Sequence, residues 1–349
     1  MGLKKALLTF AILAFLASLL FVPVVMGHAP LGVKDNENIN SATVIPDATK
    51  SWALYYALNA DGDPQYYIFN VTAGQRVHVI LLKSMESNDS QFLPEIAILA
   101  ENITSQGTLP NKVTVPSGYN AQVISSGQPN PTYEPFSPSS FYGLSDTAFN
   151  APSSGQYYIV VFENSSVHNG GHYGLAIGDR ETYTIDEWVL LPLNLLSIYG
   201  WEGQTLLAII APLIATVAIG VVLVAWYLLK QGRARSLFSW VGAIAGLILV
   251  GSGANTLLQM LIANSNAFGG IQILITLMFV ALPIVLGAIA LRFSLGNPEK
   301  IGILKRIDFL VIGVVALFLL AGLFIGPALA MATSIMPTRL KNSTKYKRP

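Results

Sequence analysis

The 349-residue chain is 52% hydrophobic and only 11% charged, too apolar for two ordinary soluble domains, so much of it must lie in lipid. Its 20 basic and 19 acidic side chains nearly cancel, which argues against a basic nucleic-acid binder. The lack of cysteine excludes disulfides, thiolate metal sites and a cysteine nucleophile. In chain order, Lys4 and Lys5 precede an apolar run from Ala6 to Met26 that closes on Val25-Met26-Gly27. Residues 1–27 therefore read as an export signal, cleaved to leave His28 at the mature amino terminus; the alternative is an uncleaved anchor.

Residues 28–186 carry short apolar runs rich in Val, Ile, Tyr and Phe, separated by Pro, Gly, Asn and Ser. This is strand chemistry, and a spacing of about ten residues predicts an all-β exported sandwich. Strands are expected over Trp52 to Leu58, Gln65 to Asn70, Arg76 to Leu82, Glu95 to Ala100, Gln156 to Glu163 and His172 to Gly178. Gly74 and Gly155 suit tight turns just before two of them. The proline-bearing stretch from Ser117 to Ser140 reads as a surface loop, with Tyr133, Phe136, Phe141 and Tyr142 as candidate ligand contacts or as aromatics folded back on the sandwich.

The run from Asp61 through Tyr66-Tyr-Ile-Phe-Asn-Val-Thr-Ala-Gly74 resembles the opening strands of the bacterial pre-peptidase C-terminal domain. Gly155-Gln-Tyr-Tyr-Ile-Val-Val and Gly171-His-Tyr-Gly-Leu-Ala-Ile are similar to that family's closing pair. The likeness spans about residues 52–178 and implies a non-catalytic sandwich that assists adhesion or folding, some members binding calcium. The Ser117 to Ser140 insert departs from the pattern.

Within residues 28–186, eight Asp and seven Glu face four Lys and two Arg, a net charge of −9, and the rest of the chain carries +10. An acidic exported surface favours cations and argues against DNA or anionic lipid as its ligand. Asn70, Asn88, Asn102 and Asn164 stand in sequons open to N-glycosylation outside the cytoplasm, as does Asn342 near the end of the chain.

Residues 187–203 read as an interfacial helix, followed by a four-helix membrane domain over 204–336 and a basic tail over 337–349. The expected spans are Gln204 to Leu229, Ser236 to Ala263, Ile271 to Leu291 and Ile307 to Ile335. Trp201 and Trp226, about 37 Å apart along a helix, suit an aromatic belt at each interface. Lys230, Arg233, Arg235 and then Arg292, Lys300, Lys305 and Arg306 mark inner loops. Four spans bring the tail outside, although its Arg339, Lys341, Lys345, Lys347 and Arg348 favour the inside. The spans hold no histidine, which argues against bis-histidine haem and Ser-His proteolysis, and their single ionisable group, Asp308, disfavours ion-coupled transport. Gly242 and Gly246 offer a face for close helix packing.

Two metal arrangements are open. A free His28 amine and ring, joined by His168 or His172, suits copper; Asp61 and Asp63 suit calcium or a plain acidic turn. His78, among alternating apolar residues, reads as a water-facing strand residue. The reading is a non-enzymatic envelope protein, lipid-embedded, displaying a sandwich that binds another envelope protein or a glycan. Its alternatives are a copper-binding protein and a sensor subunit with a separate output partner.

Overall fold

The computed structural model describes residues 28–164, 169–230, 236–296 and 301–338. The export signal, His168, Arg233, Arg235, Lys300, Asn342 and the tail from residue 339 lie outside them. Two compact units appear: 28–215 with 253–281, and, among the described residues, 216–252 with 282–338.

The first unit holds two sheets. β1 (Ala29–Pro30), β3 (Trp52–Leu58), β11 (Gly171–Ile177), β5 (Arg76–Ser84), β9 (Ser139–Asn150) and β8 (Asn130–Glu134) lie side by side in one. β2 (Thr43–Val44), β4 (Gln65–Val71), β10 (Gly155–Glu163), β6 (Pro94–Ala100) and β7 (Asn120–Ile124) form the other. The two-residue period of a strand sends alternate side chains to one face. Val77, Val79 and Leu81 of β5, Tyr67, Phe69 and Val71 of β4, and Tyr157, Ile159 and Val161 of β10 accordingly meet in a single core. The five-stranded sheet is covered on its outer face as well, where Tyr66, Ala97, Leu99, Val160 and Phe162 pack under Leu109, Val113, Val115 and Tyr119.

The six expected strands are all present, with ends within two residues of those marked in the sequence. The expected surface loop over Ser117 to Ser140 is corrected: it contributes β7, β8 and the start of β9. Prolines hid these strands, because Pro131 and Pro135 suit an edge or a strand end; β8 is the edge strand of its sheet.

Helix α1 (Ile185–Trp201) starts at a capping box in which Thr184 and Glu187 satisfy each other's backbone N–H groups. Glu187 also receives Lys50 at 2.6 Å, fastening the helix start to the β2–β3 link. At the other end, Trp201 donates its indole N–H to the carbonyls of Tyr56 (3.2 Å) and Tyr173 (3.1 Å) and meets the Tyr55 ring edge-on at 5.0 Å. Trp201 is therefore buried on the six-stranded sheet. One side of α1 covers the sheet, while Ile185, Val189, Leu190 and Leu193 stay exposed.

Among the described residues, three helices are long and apolar enough to cross a membrane: α2 (Leu206–Lys230), α3 (Leu237–Asn266) and α4 (Ile273–Ser294), the last extended by a 3₁₀ turn at Gly270–Gln272. In the second unit α3 and α4 cross backbone against backbone. A Cβ on Gly246 would lie 2.8 Å from the Gly287 carbonyl oxygen, and one on Gly287 would lie 2.5 Å from that of Gly246.

The expected fourth span, Ile307 to Ile335, is not one helix. α5 (Ile303–Phe318) ends in a break where Leu320, Gly322, Leu323 and Phe324 all take positive φ, and α6 (Ile325–Thr333) returns along it. Arg306 at the start of α5 donates to the Ser334 carbonyl just past the end of α6 at 2.7 Å. Gly313 packs on Met331 and on the Pro327 carbonyl, so the two helices are antiparallel. At 1.5 Å per residue α5 rises about 24 Å, short of a hydrocarbon core of about 30 Å. The Gly322 N–H at the turn donates to Ser252 Oγ in the middle of α3, which satisfies one group freed by the break.

Candidate functional site

Two polar clusters of the first unit bear on function. The first lies where the β8–β9 hairpin meets the helices. Tyr133, 4% exposed, packs among Met85, Met260, Ala263, Ala267 and Ile273, and its hydroxyl lies 2.7 Å from Thr276 Oγ1. Thr276 in turn donates to the Pro135 carbonyl at 2.7 Å. Phe136 meets Phe279 edge-on at 6.2 Å. The candidate contacts Tyr133 and Phe136 are thus taken up by the protein's own helices. A short hairpin edge bears apolar tips that the sheet cannot cover, so they are buried on helix ends instead. Phe141 and Tyr142 remain partly exposed, with the Lys83 ammonium 5.7 Å above the Tyr142 ring.

In the same seam Gln204 and Gln259 pair amide to amide at 2.9 and 3.0 Å, and Asn266 donates to Ser140 Oγ at 3.2 Å. Glu202, at the end of α1, accepts the Ser140 backbone N–H at 2.8 Å. Burial pushes its carboxyl up to about 7, against the hydrogen bonds from Ser140 and Gln204. Glu134 nearby is also raised by burial, although it accepts the Phe136 N–H at 3.0 Å.

The second cluster joins β5, the turn after it and β11. His172 Nδ1 lies 3.0 Å from Asp89 Oδ2 and 3.5 Å from Glu86 Oε2, and the same Asp89 oxygen accepts the His172 backbone N–H at 2.9 Å. Asn88 donates to Glu86 Oε1 at 3.0 Å. Beneath the turn the buried Lys83 donates to the carbonyls of Asp89 (3.1 Å) and Phe92 (2.7 Å). Burial pulls its ammonium below the ordinary lysine range, with Asp89 opposing. Glu86 and Asp89 are functional candidates that sequence reasoning missed: they sit 83 or more residues from His172, and no spacing rule links them.

The other predicted site residues disperse. His28 hydrogen-bonds Ser51 Oγ, and burial followed by the charge of His78 lowers its pKa. Ala29 pairs with Trp52, which sets His28 opposite Ser51, while His172 pairs with Ala57, so the two histidines stand about 20 Å apart along β3 at 3.3 Å per residue. His172 therefore does not stand beside His28, and His168, the other expected ligand, lies outside the described residues. His78 bridges Asp179 (2.5 Å) and Asp146 (2.7 Å) through both ring nitrogens; burial opposes its charge, but these hydrogen bonds outweigh it and raise its pKa. At the expected calcium turn, the Lys112 ammonium bonds the Asp61 carbonyl and lies 3.0 Å from Asp63 Oδ1. A lysine thus supplies the positive charge that calcium would bring. Asn70, Asn88, Asn102 and Asn164 are all exposed.

No protein family and no curated protein matches the chain. Among solved structures it is similar to PliG of Aeromonas hydrophila, a periplasmic inhibitor of g-type lysozyme, at 17% identity over 44% of this chain and 96% of that one, with a TM-score of 0.22. It is similar too to the pre-peptidase C-terminal domain of a Bacillus anthracis collagenase, at 16% identity over 39% of this chain and 93% of that one, again at 0.22.

Proposed function

We propose that this protein is a non-enzymatic envelope protein that holds an extracytoplasmic β-sandwich at the membrane surface for binding another envelope protein or a glycan. The observation that carries the reading is the fastening of the sandwich to apolar helices. Trp201, Tyr133 and the Gln204–Gln259 pair lock sheet, α1 and helix ends into one compact unit. Such fastening of sheet to helix ends suits display of the sandwich. The exposed apolar side of α1 then lies in the lipid interface.

Three spans with a re-entrant hairpin also remove the conflict in the charge pattern. Arg306 bonds Ser334, and the Phe238 N–H at the start of α3 bonds the Pro337 carbonyl at 3.3 Å, so both ends of the hairpin meet the start of α3. The basic tail then joins Lys230, Arg292, Lys305 and Arg306 on the inner side, in keeping with the positive-inside rule. An inner tail leaves Asn342 unglycosylated.

Because the chain has no cysteine, single substitutions report sidedness cleanly. In intact cells a membrane-impermeant maleimide is expected to label Ser117→Cys on the sandwich, and to label Thr338→Cys only after permeabilisation. Labelling of Thr338→Cys without permeabilisation would mean four spans, and protection of Ser117→Cys would remove the display reading.

A further inference from the structure

Glu86, Asp89 and His172 bring three ligand-bearing atoms within 4.8 Å of one another. We propose that these three side chains form a zinc site on the sandwich, with a coordination position left open towards solvent. This site is independent of the membrane topology and needs neither His28 nor a free amino terminus.

The geometry fits the ion. Zinc bonds of about 2.0–2.2 Å in a tetrahedron place neighbouring ligand atoms about 3.3–3.6 Å apart. Of the observed separations from His172 Nδ1, 3.5 Å lies within that range and 3.0 Å just below it, so small side-chain adjustments admit the ion. The donor set selects among metals. One imidazole with two carboxylates suits a borderline divalent cation; calcium takes six to eight oxygens, and copper(I) prefers sulfur ligands.

The ligands are also held in place, as metal sites require of their surroundings. Asn88 orients Glu86 through Oε1, leaving Oε2 towards His172. The His172 backbone N–H fixes Asp89, and Lys83 pins the turn that carries it. The turn at Gly203 closes behind Glu86: a Cβ there would lie 2.8 Å from the Glu86 carboxyl carbon. Burial grades from the 5% exposed Asp89 side chain to Glu86 at 24% and His172 at 37%. The open coordination position therefore faces outward, where water or a donor from a bound partner can complete the shell. Two carboxylates and a neutral imidazole carry two negative charges, which zinc neutralises. Without the ion, His172 Nδ1 and Asp89 Oδ2 share a hydrogen bond of 3.0 Å, with Glu86 Oε2 at 3.5 Å.

The test is calorimetric titration of zinc chloride into the full chain in detergent at pH 7.5, after chelation and dialysis, with thermal unfolding on the same samples. One zinc per chain is expected, with a rise in thermal midpoint that grows with zinc concentration. His172→Ala and Glu86→Gln are each expected to weaken binding about 100-fold, with His78→Ala unchanged and calcium failing to compete. Glu86 is partly exposed, so the metal-free thermal midpoint of Glu86→Gln is expected to match the parent and to show that folding is intact. Absence of zinc binding by the parent, or equal binding by His172→Ala and Glu86→Gln, overturns the proposal; so does loss of binding in His78→Ala alone.

Discussion

The sandwich and the second helical unit bury apolar surface by opposite means. In the sandwich the core is made of large side chains, Tyr67, Phe69, Tyr157 and Tyr173 among them, set across two layers by strand alternation. In the helical unit α3 and α4 cross where Gly246 and Gly287 bring two backbones into contact. Lipid offers helices no hydrophobic gain from meeting, so close approach and dispersion must supply the attraction. The lesson is that the two regions are damaged by opposite substitutions: trimming a side chain damages the first, whereas adding one at the crossing damages the second.

The largest expected effect breaks the sandwich side of that contrast. Trp201→Ala removes an indole that packs on the six-stranded sheet and donates its N–H to the Tyr56 and Tyr173 carbonyls. A loss of about 3–5 kcal/mol is expected, read as a fall in the thermal midpoint of the sheet signal in circular dichroism. A fall of under about 1 kcal/mol would show that α1 is only loosely applied to the sheet.

Second in size is a pH effect at the helix-facing seam. Glu202 titrates near 7 in the folded protein and near its ordinary 4.5 once unfolded. Below 4.5 both states hold the proton and the group contributes nothing to the balance. Between 4.5 and 7 the unfolded chain releases its proton first, so stability falls as pH rises; above 7 the full cost of about 3 kcal/mol remains. The groups around it are the Ser140 N–H, the Gln204 amide, Tyr199 and Tyr55; the two tyrosine hydroxyls, raised by burial, stay neutral throughout this window. Glu202→Gln is expected to flatten the profile between pH 4.5 and 7 and to raise the thermal midpoint at pH 8. A slope unchanged by the substitution would place the titration elsewhere.

What was legible in the sequence follows from the same contrast. Strand alternation and glycine turns fix local geometry, so β3 could be bounded by reading Trp52 to Leu58, and Gly74 and Gly155 do take positive φ. β7 and β8 escaped because their partners, not their own composition, make them strands. Hydropathy registers apolar length and is blind to direction, so α5 and α6 looked like one span. The break at Leu320 to Phe324 carries one glycine and otherwise side chains that a helix accepts, and long-range contacts such as Arg306–Ser334 and Gly313–Met331 reveal the reversal. The acid–histidine cluster was illegible for a related reason. Glu86 and Asp89 meet His172 through the pairing of β5 with β11, a long-range register that no local pattern encodes.

The smallest expected effect sharpens the helical side, because two forces compete at a single methyl group. Replacing glycine by alanine within a helix gains about 1 kcal/mol from backbone entropy. At Gly220 the added carbon would meet only the tip of the Leu247 side chain, which can rotate away, so Gly220→Ala is expected to be neutral or mildly stabilising. At Gly287 the added carbon would lie 2.5 Å from the Gly246 carbonyl oxygen and 2.9 Å from the Val250 nitrogen, and backbone cannot rotate away. The two helices must part, forfeiting contacts along the crossing at a cost of about 1–3 kcal/mol, which outweighs the entropy gain. Unfolding of the paired variants in the same detergent, followed by the helix signal, separates the terms. Gly287→Ala should melt below the parent and Gly220→Ala at or above it. If both melt above the parent, the α3–α4 crossing does not depend on backbone contact, and the two regions of the molecule would share one packing rule after all.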